Sequence, residues 1–198
     1  MDKSKYHFHH GHKYKFEAGE VVDDIQKLSI WRSFKHRFPW LFIGLVGGVL
    51  AAKLIEQFEF VLSKNLILAA FIPTIVYMAD AVGVQMESFI IRDLALEGKI
   101  KFHRYFVRQF TVVFFMGLVF SGMLFLINWF TSKDVVISFV LSLALFIAIM
   151  SSLLTGLMIP YVMRKSRIDP ANVSGPIVTI VQDILSIVIY FLIAAWLL

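Results

Sequence analysis

Residues 135–163 read VVISFVLSLALFIAIMSSLLTGLMIPYVM, with no Asp, Glu, Lys or Arg anywhere in the run. At about 1.5 Å of rise per residue, a helix of this length crosses a hydrocarbon core of roughly 30 Å. The apolar pattern recurs outward from it in both directions. Spans at about 39–60, 66–91, 105–130 and 173–198 join 135–163 to give five transmembrane helices. No segment alternates apolar and polar residues with period two, which excludes a membrane β-barrel. Hydrophobic residues make up 59% of the 198 and charged ones 17%, whereas a soluble domain has roughly half and a quarter. The expected fold is therefore an all-α integral membrane protein with a five-helix domain at 39–198. Ahead of it lie a His- and Lys-rich tail at 1–16 and an amphipathic juxtamembrane helix at 17–38. The start has no apolar core or small-residue cleavage site of a signal peptide. The absence of Cys excludes disulfides and thiolate metal sites.

Charge sets the orientation. Lys3, Lys5, Lys13, Lys15, Lys27, Arg32, Lys35 and Arg37 precede the first span. Arg92, Lys99, Lys101, Arg104 and Arg108 lie at the second connection, and Arg164, Lys165 and Arg167 at the fourth. The opposite side holds Lys64 and Lys133. This asymmetry places the N-terminus in the cytoplasm and Leu198 outside. The net charge of +5 thus reports topology, and no nucleic-acid partner is expected. Trp40, Trp129 and Trp196 fall near span ends, where amphipathic rings sit at headgroup level. The expected location is the plasma (inner) membrane, as a multi-pass protein.

Asp80 and Glu87 in the second span and Asp183 in the fifth are the informative residues. Each charge costs roughly 2.5–3.5 kcal/mol at the bilayer centre, so the three together, facing lipid, would cost roughly 8–10 kcal/mol. They must face protein, water or a cation. Asp80 and Glu87 are two turns apart on one helix face, which Pro73 and Tyr77 continue. In the fifth span Asn172, Pro176, Thr179, Asp183, Ser186 and Tyr190 recur at steps of three or four as a polar stripe. Pro176, after Ser174 and Gly175, frees carbonyls near the cytoplasmic end. Gly83 lets a backbone or hydrated ion approach. Structural carboxylates bonded across helices are the plain alternative, but no Lys or Arg lies deep in the second to fifth spans to neutralise them.

The candidate ligands are all oxygen, and no Cys or His lies deep in a span, which argues against copper or zinc. Mg2+ keeps its water and is often held by one or two carboxylates, so it comes first, with Mn2+ or Co2+ as alternatives. Five helices are thin for enclosing a hydrophilic path. A homodimer in the lipid bilayer, with a path at or near its two-fold axis, is the economical expectation. No organic cofactor is expected. An intramembrane hydrolase would need a nucleophile and base, or an aspartyl dyad of Asp80 and Asp183, and no protease motif supports one; the protein is read as not an enzyme. A scaffold subunit would carry no flux alone. A proton-coupled exchanger using Asp80 and Glu87 is the second transport reading.

The chain resembles the membrane domain of the MgtE family of magnesium channels and transporters over residues 39–198. The resemblance rests on Pro39-Trp40, Phe58-Glu59, Pro73, Met78-Ala-Asp80-Ala-Val-Gly83-Val-Gln85 and Arg92-Asp-Leu-Ala-Leu. Its strongest part is Ile168-Asp-Pro-Ala-Asn-Val-Ser-Gly-Pro176-Ile-Val-Thr179-Ile-Val-Gln-Asp183. It implies a homodimer of five-helix subunits, with Asp183 as the principal ion ligand and Thr179 and Gly175 lining the same site. Asp80, Glu87 and Thr179 complete the candidate metal set. Asn172, Ser174, Gly175, Pro176, Gly83, Gln85 and Ser186 are the candidate pore-lining or helix-break residues, with Glu59 at the outer mouth. Two departures stand out. Asp80 and Ala81 replace a Gly-Asn pair of the long members, and Glu87 is an added acid. Residues 1–198 also contain neither the cytoplasmic helical domain nor the paired CBS modules of those members, so regulation by that route is not expected.

Residues 17–38 form an amphipathic pattern, acidic at its start and basic at its end, in the favourable sense for a helix dipole. A helix resting on the cytoplasmic leaflet is the simpler reading. The resemblance suggests a second, a plug helix whose Glu17, Glu20, Asp23 and Asp24 bind cytoplasmic Mg2+ and close the pore. His7, His9, His10 and His12 belong to a solvated tail that could bind transition metals locally.

Overall fold

The structure is a computed structural model and describes residues 8–9, 12–13, 29–97, 100–166 and 170–198. Glu17, Glu20, Asp23 and Asp24, and residues 17–28 of the expected juxtamembrane helix, lie outside the described residues, as do His7 and His10. In the tail, β1 (Phe8–His9) and β2 (His12–Lys13) form a two-residue antiparallel pair, Phe8 opposite Lys13 and His9 opposite His12. The rest is helical: α1 (Ile30–Glu56), α2 (Glu59–Lys64), α3 (Leu66–Glu97) and α4 (Phe102–Ser132), then α5 (Val135–Leu153), α6 (Ile159–Lys165) and α7 (Pro170–Leu197). A π-helical segment, Leu154–Met158, joins α5 to α6. Among the described residues, five segments are long and apolar enough to span a bilayer: Ile30–Glu56, Leu66–Leu96, Phe102–Ser132, Val135–Lys165 and Ser174–Leu197.

The helix ends follow local chemistry. Ser29 caps α1 by accepting from the Arg32 N–H at 3.4 Å. The helix then runs unbroken through Pro39, so the boundary expected between 38 and 39 falls inside it. Pro39 removes one amide donor, at the basic membrane edge where headgroups and water can serve the orphaned carbonyl. At the other end Lys53 pairs with Glu56 at 2.8 Å. The α4–α5 connection is a two-residue turn. Lys133 adopts a left-handed φ of 57°, and Asp134 caps α5 by accepting from the Ile137 N–H at 3.0 Å.

The core lies among α3, α5 and α7. Ile75, Ala79, Met86 and Ile90 of α3 meet Leu141, Ala144, Leu145 and Ala148 of α5, and Ile187, Phe191 and Ala194 of α7. Small residues let these helices close up, since lipid tails give no hydrophobic drive for association. The tightest approach is at Gly156, where a Cβ would stand 2.4 Å from the Gly83 carbonyl oxygen. The π-helical segment has a local cause. Pro160 has no N–H to offer Gly156 and its ring crowds that carbonyl; widening the turn by one residue relieves the conflict.

Helix α4 packs along α5, and α1 has α7 as its main neighbour. On α1, Leu41, Phe42, Leu45, Val46, Val49 and Leu50 are exposed, which is stable only against lipid or another apolar surface.

Candidate functional site

Helix α7 presents two polar sectors. On the first, Pro176, Thr179 and Asp183, with Ile180, form one wall of a groove; Leu41, Gly44, Gly47 and Gly48 of α1 form the other. The groove encloses about 450 Å³. Its width follows from the glycines. At Gly47 a Cβ would fall 2.5 Å from Ile180 Cγ2, so only glycine lets α1 lean this close to α7; Gly44 and Gly48 face open space. Asp183 is half-buried and borders this groove near the middle of its span. Among the described residues its carboxylate accepts no hydrogen bond, and the charge acting on it is that of Asp80.

Two carboxylate–hydroxyl pairs stitch α3 to α7 on the basic side of Asp183. Thr179 donates its hydroxyl to Asp80, while Asp80 Oδ1 is buried without a partner among the described residues. Two turns further along α3, Glu87 accepts from the fully buried Ser174 hydroxyl. Glu87 is 6% exposed, so it sits in a dry interhelical contact and does not reach the groove. Asp80 is close enough to repel both Glu87 and Asp183.

The second polar sector of α7 faces α5. Gln182 is fully buried. Its Oε1 accepts from Thr155 Oγ1 at 2.6 Å. Its Nε2 lies 3.0 Å from Ser186 Oγ, 3.1 Å from Ser151 Oγ and 3.3 Å from the Ala148 carbonyl. Ser186 therefore belongs to this internal knot and not to the groove. Tyr190, also on the expected stripe, donates to the Leu68 carbonyl at 2.7 Å and is covered by α3.

The other expected site residues are spread more widely. Gly83 is buried; a Cβ there would meet Ser152 and Thr155 at ordinary contact distance, and it is the missing side chain of Gly156 that admits the Gly83 backbone. Gln85, Pro73 and Tyr77 are exposed on α3. Gly175 is half-buried, and α7 continues through Pro176. Pro176 deprives the Asn172 carbonyl of its helical donor, although the helix is not broken. Glu59 opens the short helix α2 at the end of the bundle away from the basic connections. The sequence reading had not singled out Gln182, Thr155, Gly156 or the Gly44/Gly47/Gly48 face. Of these, the glycine spacing on an apolar helix was the readable signal.

Five apolar spans with a carboxylate-lined groove between two of them put the chain in the class of multi-pass membrane proteins. Comparison with known proteins narrows it. A sequence family described as "MgtE: Divalent cation transporter" matches residues 72–193, and the chain belongs to this MgtE family. It is 33% identical over 161 residues to a magnesium transporter MgtE of Bacillus subtilis (strain 168), covering 80% of this chain and 36% of that relative. To the magnesium transporter MgtE of Enterococcus faecalis it is 31% identical over 180 residues, covering 90% and 40%. To that of Thermus thermophilus it is 27% identical over 180 residues, covering 90% and 39%. The chain thus spans about 36–40% of the length of these curated relatives.

Proposed function

We infer that the protein moves divalent cations, Mg2+ foremost, across the membrane, with Asp183 as the main ligand of the ion in transit. The observation that carries this reading is the Asp183 carboxylate itself. It stands at membrane depth, without a hydrogen-bond donor among the described residues, on an open groove between α1 and α7. A charge left unserved there costs several kcal/mol unless an ion or water comes to it. Thr179, one turn away on α7, supplies a further oxygen, and Asp80 stands behind it as the acceptor of its hydroxyl. Ligands of oxygen alone suit a hard cation that keeps part of its water. Mn2+ and Co2+ are the nearest competitors.

One carboxylate gives a sparse site. Two copies of the chain, each presenting its α1–α7 groove toward a common axis, would double the charge and enclose the path; the exposed apolar residues of α1 suit such a contact. The charge asymmetry of the connections supports a cytoplasmic N-terminus.

The test is Mg2+ flux into liposomes by the purified full chain beside its Asp183→Asn variant. Flux with the wild type and background flux with the variant, both extracting as folded protein, is the expected result. Wild-type flux in the variant would defeat the reading. Proton-coupled exchange through Asp80 is favoured by its buried Oδ1, which has no partner among the described residues. It predicts flux that follows an imposed pH gradient and loses that dependence in Asp80→Asn.

A further inference from the structure

Gln182 is adjacent in sequence to Asp183, and adjacent residues on a helix point about 100° apart. The side chain of Gln182 is bound to three separate places: Thr155 in the π-helical segment, Ser151 and the Ala148 carbonyl on α5, and Ser186 one turn further along α7. The amide oxygen accepts from Thr155 and the two amide hydrogens have three acceptors within reach, so the side chain is held from both ends. The bundle interior around the knot is otherwise largely apolar, with Leu145, Leu153 and Leu157 among its fully or nearly fully buried residues. Polar groups in such surroundings have no water to fall back on, which makes the arrangement specific in angle as well as distance.

The π-helical segment takes part directly. The extra residue in that turn carries Thr155 toward α7, where its hydroxyl meets Gln182 at 2.6 Å. Gly156, the next residue, closes on Gly83 of α3. The same irregular turn therefore grips α7 through Thr155 and α3 through Gly156. These two helices carry Asp183 and Asp80.

We propose that Gln182 is a positioning residue, which fixes the rotation of α7 against the π-helical segment so that Asp183 faces the α1–α7 groove at the depth required to hold the cation. The proposal rests on the reading of Asp183 as the cation ligand. Gln182 does not touch the ion. It sets where the carboxylate stands, and a loosened α7 lets that carboxylate turn toward α3 or α5. Ligand sites lose function when their support allows displacements of about 1 Å.

The experiment measures the half-saturating Mg2+ concentration for liposome flux, together with thermal melting of the purified full chain. Gln182→Leu is expected to raise the half-saturating concentration about tenfold. Thr155→Val, which removes the one hydroxyl reaching Gln182 from the π-helical segment, is expected to raise it a fewfold, and Thr155→Ser to restore the wild-type value. Asn128→Leu is the control. Asn128 is a buried amide bonded to Ser138 at 2.8 Å between α4 and α5, away from the groove; its loss should lower the melting temperature and leave half-saturation unchanged. Lower melting in Gln182→Leu and Thr155→Val with unchanged half-saturation would overturn the proposal, as would an equal shift in Asn128→Leu. Where Gln182→Leu does not fold, the Thr155→Val and Thr155→Ser pair decides. Normal flux in Asp183→Asn would instead remove the cation-site reading, and so is distinguishable from failure of the Gln182 proposal alone.

Discussion

The fourth and first spans are both strongly apolar, yet their surroundings differ. Within the most apolar 18 residues of each, 56% of the fourth span is buried within the chain, against 11% of the first. The fourth is wrapped by α3, α4 and α7, and its Ala, Ser and Gly residues admit close backbones. The first leans on α7 along a glycine face and leaves the rest of its surface free. Hydropathy measures affinity for the bilayer and says nothing about which neighbour a helix finds there. The close-packed side supplies a rigid frame, and the loosely attached side leaves room for the groove that holds Asp183.

The contrast can be broken or sharpened by filling glycines on each side. Gly156→Ala should do the most harm, because the new methyl meets the Gly83 carbonyl and the Met86 Cβ at 2.4 and 3.0 Å. A loss of about 2–3 kcal/mol in unfolding free energy is expected, read from denaturant titration in detergent. Tyr190→Phe removes the bond to the Leu68 carbonyl and should cost about 1 kcal/mol by the same measurement. Gly47→Ala meets only side-chain atoms of Ile180, at 2.5 to 3.1 Å, and α1, with little else packed on it, can back away from α7. Its cost should stay at about 1 kcal/mol, the low end for overpacking. Gly44→Ala enters open space and should leave stability within about 0.5 kcal/mol of wild type. Its effect should instead be slower Mg2+ flux in liposomes, since the methyl narrows the groove. If Gly44→Ala destabilised the protein more than Gly156→Ala, the division into a rigid and an open side would be wrong.

Five spans were legible because a bilayer demands about 20 apolar residues in each, and few other constraints write so plainly into sequence. Asp183 was legible for a related reason: an ionisable group in hydrocarbon is expensive enough to need an explanation. Gln182, one residue away, was overlooked because a neutral amide costs far less, although it is the more heavily bonded of the two. Ser186 and Tyr190 share a helical sector with Asp183, and periodicity groups them together. What separates them is which neighbour covers each: α5 takes Ser186 into the Gln182 knot and α3 covers Tyr190, while Asp183 alone meets the groove. The π-helical segment depends on Pro160 together with the Gly83–Gly156 approach, and the second of these is a long-range contact that no local pattern announces.

The glycine face of α1 also bears on how the molecule comes into being. Its counterpart is Ile180, almost the whole length of the chain later, so the earliest of these helices to enter the membrane has its main docking surface on the latest. During synthesis α3, α4 and α5 can gather while α1 waits in lipid, and the groove exists only once α7 has arrived to close it. Biogenesis thus ends with the closing of the groove beside Asp183, which a chain stalled before its final helix does not yet possess.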